Sequence, residues 1–300
     1  MKPVTGLARG AGVRRGRRAG AGRVPGRTVA PPHASSSSSS SSNAAVVVPG
    51  DTVLVAGATG GVGQILTKKL VERGYVVRAL SRSFSKSIEL LGTHPNLTHV
   101  EADITRPETL VDGVRGCRAV CCTTGTTAFP TLRWLGKNDP DTNTWVGTRN
   151  LVDACREGKE CGRFVFVSSA GVKRYDAGPP YSILNAFGVL VAKEKAETYL
   201  ANSGMPYTIV RPGRLTDAPY TSYDLNTLMK GESGERREVN LSLEEELDGE
   251  TSRAAVAESC VQSLVHAFME NETFSIESVL GEGPETSDEE WASRLRAMRM

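Results

Sequence analysis

From Thr52 onward the chain alternates short apolar runs with longer stretches whose apolar positions recur every three or four residues. Runs 52–56, 75–80, 97–100, 119–122, 164–167 and 207–210 have strand length. Their near-continuous apolar character predicts strands buried on both faces, as in a parallel sheet. Between them, 61–73 places Ile65, Leu66, Leu70 and Val71 on one face and closes at Gly74, the signature of an amphipathic helix with a glycine C-cap. Segment 107–114 reads as a short helix. Segment 143–155 carries Val146, Leu151, Val152 and Ala154 at helical spacing, and 185–202 is a further long helix stopped at Ser203 and Gly204. Six strands alternating with helices predict a doubly wound α/β architecture. Past residue 212, a polar, turn-rich stretch over 218–250 precedes a helix at 252–270, a strand at 273–278 and a terminal helix at 288–300. Residues 212–300 therefore read as a smaller substrate-side lobe of one domain spanning 51–300.

The first fifty residues depart from this pattern. They hold eight cations, no acid and eight consecutive serines from Ser35 to Ser42, without an apolar stretch of secretory length. That composition predicts a disordered, cleavable transit peptide, with the serine run pointing to the chloroplast stroma ahead of the mitochondrion. With the leader set aside, 28 cations face 34 acids. A net acidic mature chain without interleaved basic and aromatic residues argues against nucleic-acid binding. No stretch approaches the roughly 20 apolar residues of a membrane span, which leaves a soluble or at most peripheral protein. The six cysteines show neither paired CxxC motifs nor histidines at ligand spacing, so no metal is expected and the thiols read as small apolar residues in a reducing compartment.

The chemistry begins directly after the first strand, with Gly57, Thr59, Gly60, Gly61, Val62 and Gly63. Gly57 allows the tight turn, Gly60 lets backbone approach a pyrophosphate, and Gly63 allows close helix packing, so an anion is expected at the helix N-terminus. This Rossmann-type turn predicts dinucleotide binding. After the second strand, where an acid would bind the ribose hydroxyls of NAD, the chain reads Ser81, Arg82, Ser83. A cation there favours the 2′-phosphate of NADP, with Arg82 as the main clamp and Lys86 or Arg78 assisting. Asp103 and Ile104, after the third strand, are placed at the adenine edge, and Thr123 and Thr124, after the fourth, border the pocket. Arg211 and Pro212 sit at the sheet's carboxyl edge, where either a structural role or a nicotinamide contact fits.

Three segments, VLVAGATGGVG over 53–63, RFVFVSS over 163–169, and Lys193 ahead of YTIVRPG over 207–213, resemble the atypical short-chain dehydrogenase/reductase superfamily. The run GRLTDAPYTSYDLNTL over 213–228 is similar, more narrowly, to a plastid group of plant and algal NAD(P)-binding proteins related to the NmrA-like branch. The resemblance spans about residues 51–296 and implies an extended Rossmann fold with bound NADP. It also implies catalysis by a serine after the fifth strand, here Ser168 or Ser169, and by Lys193, which lowers the pKa of a tyrosine four residues earlier and holds the nicotinamide ribose. That tyrosine position is Val189 in this chain, and valine transfers no proton. Tyr181, in the loop ahead of the helix, is a possible substitute, with Tyr220 and Tyr223 as further pocket residues. Two functions follow: an NADPH-dependent oxidoreductase acting on a small plastid metabolite, or a non-catalytic NADP-bound protein for redox sensing or complex assembly.

Overall fold

The computed structural model describes residues 46–126, 129–130, 132–135, 137–215, 237–284 and 286–300. Strands β1 (Thr52–Ala56), β2 (Val76–Ser81), β3 (Leu97–Glu101), β4 (Ala119–Cys122), β5 (Arg163–Val167) and β6 (Tyr207–Pro212) pair in parallel in the order β3-β2-β1-β4-β5-β6. β7 (Arg214–Leu215) and β9 (Glu250–Thr251) form a two-stranded ribbon, while β8 (Glu238–Ser242) and β10 (Glu272–Val279) join the main sheet. All five residues of β5 are buried, as expected of a strand covered on both faces.

The layers follow from side-chain alternation. Val53 and Val55 face a cluster with Ile65, Leu66 and Leu70 of α1 (Gly61–Glu72), while Leu54 and Ala56 face Leu151 and Val152 on the opposite side. That opposite layer is built from α3 (Val111–Val114), α4 (Gly147–Gly158) and α6 (Val189–Ala201). α7 (Arg253–Val265) packs beside α1, and α8 (Asp288–Ala297) buries Trp291 in the same cluster. Among the described residues, two short helices remain, α2 (Phe84–Leu91) and α5 (Tyr181–Leu184).

Several expectations are corrected by this arrangement. The strand at 272–279 is not confined to a lobe: it pairs in parallel with β6 and antiparallel with β8, so segment 212–300 supplies two strands of the central sheet. Its run of buried residues, Phe274, Ser275 and Ile276, is that of a strand covered on both faces and explains why it belongs there. Helix α2 was not anticipated, although Ser83 caps it by accepting the Lys86 N–H and its apolar residues fall at Phe84, Ile88 and Leu91. The helix expected from 185 starts only at Val189, because Gly188 has φ +78°. Residues 140–146 form π-helical turns that run into α4, capped by Asp139 through the Thr142 N–H. Finally, Val47 lies ahead of the expected boundary at 51 yet is buried, donates its N–H to Leu264 O and accepts the Tyr75 hydroxyl at its carbonyl.

Candidate functional site

A cleft of about 410 Å³ opens at the carboxyl ends of β1, β2 and β3. It brings together Gly57, Thr59, Gly60, Arg82, Asp103, Ile104 and Thr123, all singled out from the sequence, with Ser81, Ser83, Lys86 and Thr124. Carboxyl edges near a switch in strand order are where open α/β sheets bind ligands, and here the order switches between β1 and β4.

Each part of the cleft has a local cause. Gly57 has φ +81°, and a side chain there would press on Thr123 at 3.0–3.1 Å. A Cβ on Gly63 would lie 2.1 Å from Gly57 O, so only glycine lets α1 pack this closely against the turn. Gln64, fully buried, donates from Nε2 to Thr59 O and pins the turn. Helix α1 is capped by Gly60 without a side-chain partner and has no acid in its first turn. Its leading N–H groups and positive dipole end therefore face the cleft, an arrangement that favours an anion. Gly61, Val62 and Gly63 occupy that first turn; Val62 sends its side chain to the core and can offer a ligand only backbone.

At the other end of the cleft, Arg82 is exposed and forms no hydrogen bond or ion pair among the described residues. Ser81 accepts the Ser83 N–H. Glu101, the nearby acid on β3, accepts the Phe84 N–H at the start of α2. Arg78 is corrected out of the clamp: its Nη1 donates to carbonyls of Gly113 and Arg115, which ties β2 to the end of α3. Asp103 Oδ1 accepts the N–H and hydroxyl of Thr105, and the Ile104 carbonyl accepts Asn150 Nδ2. Thr123 Oγ1 donates to Ala56 O, fastening β4 to the glycine turn.

Ser168 and Lys193 lie at the carboxyl end of β5, beyond the residues that line the cleft. Ser168 is buried, its N–H donates to Val210 O, and its hydroxyl has no partner among the described residues. Ser169 Oγ donates to Ala170 O. Lys193 Nζ donates to Val167 O at 3.1 Å and sits 5.4 Å from the centre of the Phe166 ring. Burial pulls its pKa down to about 8, partly offset by Cys122 and Glu197. Val189, at the tyrosine position, is buried with Val172 and Leu190.

Tyr181 does not approach as a free acid. Its hydroxyl donates to Asp248 and accepts from Arg174, whose guanidinium also stacks 4.6 Å above the ring. Burial, followed by the bond to Asp248, pushes its pKa up to about 12, the opposite of what a proton donor needs near neutrality. Arg211 is structural: its Nε and Nη2 make a paired contact with Glu197 at 3.0 and 2.6 Å. Tyr220 and Tyr223 lie outside the described residues.

Three contributors escaped the sequence reading. Asn138 and Asn143 line the cleft and are hydrogen-bonded to each other, and the buried Asn143 Oδ1 has no partner among the described residues. Arg253, from the first turn of α7, lies so close to Gly61 that a Cβ there would meet its Cδ and Nε at 2.8 Å, placing a second cation by the helix N-terminus. Arg253 is 192 residues from Gly61, and no local signal marks it. The uncapped helix end, the cradle that only glycine permits, the uncommitted guanidinium and the orphaned Ser168 hydroxyl all fit a dinucleotide.

A protein-family model described as NAD(P)H-binding matches residues 57–267. An uncharacterised chloroplastic protein of Arabidopsis thaliana is 36% identical over 245 residues, 78% of this chain and 79% of its own length. The chloroplastic protein TIC 62 of Pisum sativum is 34% identical over 223 residues, 69% of this chain and 39% of its own length. The chain thus spans well under half of that relative. Sanguinarine reductase of Eschscholzia californica is 29% identical over 267 residues, 76% of this chain and 89% of its own. Among solved structures, the oxidoreductase ylbE of Lactococcus lactis has a TM-score of 0.63 at 18% identity, covering 83% of this chain and 96% of that one, which shows a common fold. The chloroplastic relatives support a chloroplast location. Among the described residues, no helix is long and apolar enough to cross a membrane.

Proposed function

The chain belongs to the NAD(P)H-binding family of atypical short-chain dehydrogenase/reductase proteins, and from that premise we propose that it is an NADPH-dependent oxidoreductase of the chloroplast stroma, reducing a small plastid metabolite. The observation that carries the reading is the cleft in which an uncommitted Arg82, flanked by Ser81 and Ser83, faces the uncapped N-terminus of α1. Arg82 holds the 2′-phosphate that distinguishes NADP, with Lys86 beside it. The first turn of α1 takes the pyrophosphate, and Asp103 with Ile104 borders the adenine. When bound, the nicotinamide supplies hydride.

At the reacting end, the Ser168 hydroxyl donates a hydrogen bond to the substrate carbonyl. Lys193 keeps the nicotinamide ribose in place. With valine at position 189, it also takes over proton delivery, because a Nζ with a pKa near 8 both carries and releases a proton close to neutral pH. The membership of a reductase among the relatives supports this class of reaction.

The buried Val189 and the committed hydroxyl of Tyr181 favour a second reading, an NADP-bound redox sensor or assembly factor without turnover. Following NADPH oxidation across a panel of carbonyls and enones separates the two. Turnover that is lost in Lys193→Ala supports the reductase. Tight NADPH binding with no turnover on any member of the panel selects the second reading.

A further inference from the structure

Four residues beyond Lys193 on α6, about 6 Å along the helix axis, stands a buried carboxylate, Glu197. Both of its oxygens rest on one guanidinium: Arg211 Nε and Nη2 donate to it at 3.0 and 2.6 Å. Arg211 follows Val210 on β6, whose carbonyl accepts the Ser168 N–H at 2.7 Å. Lys193 Nζ in turn donates to the carbonyl of Val167, one residue before Ser168. These contacts close a ring that runs from β5 to β6, across the ion pair to α6, and back to β5. Ser168 and Lys193 are both links of that ring. A buried ion pair is a weak source of stability, because desolvation offsets most of its attraction. Two buried charges are thus a poor way to hold α6 on β6, but in a medium of low dielectric they are a strong way to hold a third charge beside them.

Resting on the reductase reading, we propose that Glu197 is a positioning residue of this site: fixed by Arg211, it keeps the Lys193 ammonium charged and in place at the carboxyl end of β5. Among the described residues, the groups that act on Lys193 come from three elements. From β5, the Val167 carbonyl accepts its hydrogen bond and the Phe166 ring lies 5.4 Å from Nζ. Burial disfavours its charged form, while Cys122 on β4 and Glu197 on its own helix favour that form. Glu194, next to Lys193 in sequence, is turned to Lys173 at 3.2 Å. Glu197 is therefore the carboxylate that counters the burial of Lys193. A carboxylate held by two bonds to one guanidinium is fixed in orientation, so Glu197 stays beside Lys193 without swinging onto it. Glu245 accepts from Arg211 Nη1 at 3.4 Å and from the Lys173 N–H at 2.8 Å, which gives the guanidinium a second acid.

The test reads the titration of Lys193 itself in the full chain without nucleotide, from the pH dependence of its acetylation by acetic anhydride, followed by mass spectrometry. Exposed Lys159 serves as the internal standard. The wild-type midpoint is expected near 8. Glu197→Gln preserves the size of the side chain and leaves Arg211 paired with Glu245, so it is expected to fold and to lower the midpoint by about half a unit or more. A Glu197 that only braces the fold gives the opposite sign, because loosening α6 admits water to Lys193 and moves the midpoint up, towards 10.5. Glu197→Met also removes the charge and is read in the same way, whereas Glu197→Asp keeps it and is expected to stay closer to wild type. A midpoint that rises or stands still in both the Gln and the Met variant overturns the positioning role and leaves the reductase reading intact. A fall in which the inflection of kcat/KM moves down by the same amount supports both. A fall with no turnover on the carbonyl and enone panel supports the positioning role and removes the reductase.

Discussion

Arg82 and Lys193 show how far single residues carry the function. An arginine without a partner among the described residues, just after β2, has its charge available for a ligand phosphate. Arg82→Asp is therefore expected to weaken NADPH binding at least tenfold, about 1.4 kcal/mol, while NADH affinity holds. Calorimetric titration of both nucleotides checks this, and an equal loss for the two would assign Arg82 to something other than the 2′-phosphate. At Lys193 the sign of the pH effect follows from burial, which disfavours the ammonium and lowers its pKa to about 8. The transferable proton is present below that pH and lost above it, so kcat/KM is expected to fall about tenfold per unit beyond pH 8. In Lys193→Ala the inflection near 8 should vanish and the rate should drop by about 10²–10⁴. A profile unchanged in shape would place the proton source elsewhere.

At the scale of elements, the turn between β1 and α1 is held by contacts that leave no room for a side chain. Gly63→Ala brings a Cβ within 3 Å of three backbone atoms of Gly57 and Ala58, none of which can rotate away. The substitution is expected to cost about 1–3 kcal/mol of stability. It should also abolish nucleotide binding, read from the urea midpoint together with a nucleotide titration; an unchanged midpoint would mean that the turn yields. Such a turn is legible in sequence because glycine spacing after an apolar run has few other uses. Helix α2 was also legible, since Ser83 and the i, i+4, i+7 series of Phe84, Ile88 and Leu91 announce it, but exposed positions dilute the pattern. The start of α6 depended on Gly188 in a left-handed conformation, which composition alone does not reveal.

For the molecule as a whole, the folded unit reaches back past Asp51. Val47 fills the cluster under α7 and anchors Tyr75, so a chain beginning at Asp51 should melt below one beginning at Asn43, with a deficit of about 1.5–3 kcal/mol for the lost side chain. Thermal unfolding of the two chains checks it, and equal melting would make residues 46–50 dispensable. What the sequence determined by itself is local and periodic: the six parallel strands and the glycine turn. An arginine at the end of β2 and a valine in place of the tyrosine can also be read without a structure, because each depends on neighbours a few residues away. The tertiary structure alone decided that β8 and β10 complete the sheet, that Arg253 reaches the glycine turn, that Tyr181 is committed to Asp248, and that Phe187 meets Phe129 and Trp134. Those pairings join positions about 30 to 190 residues apart, and only packing around a common core brings such positions within contact distance.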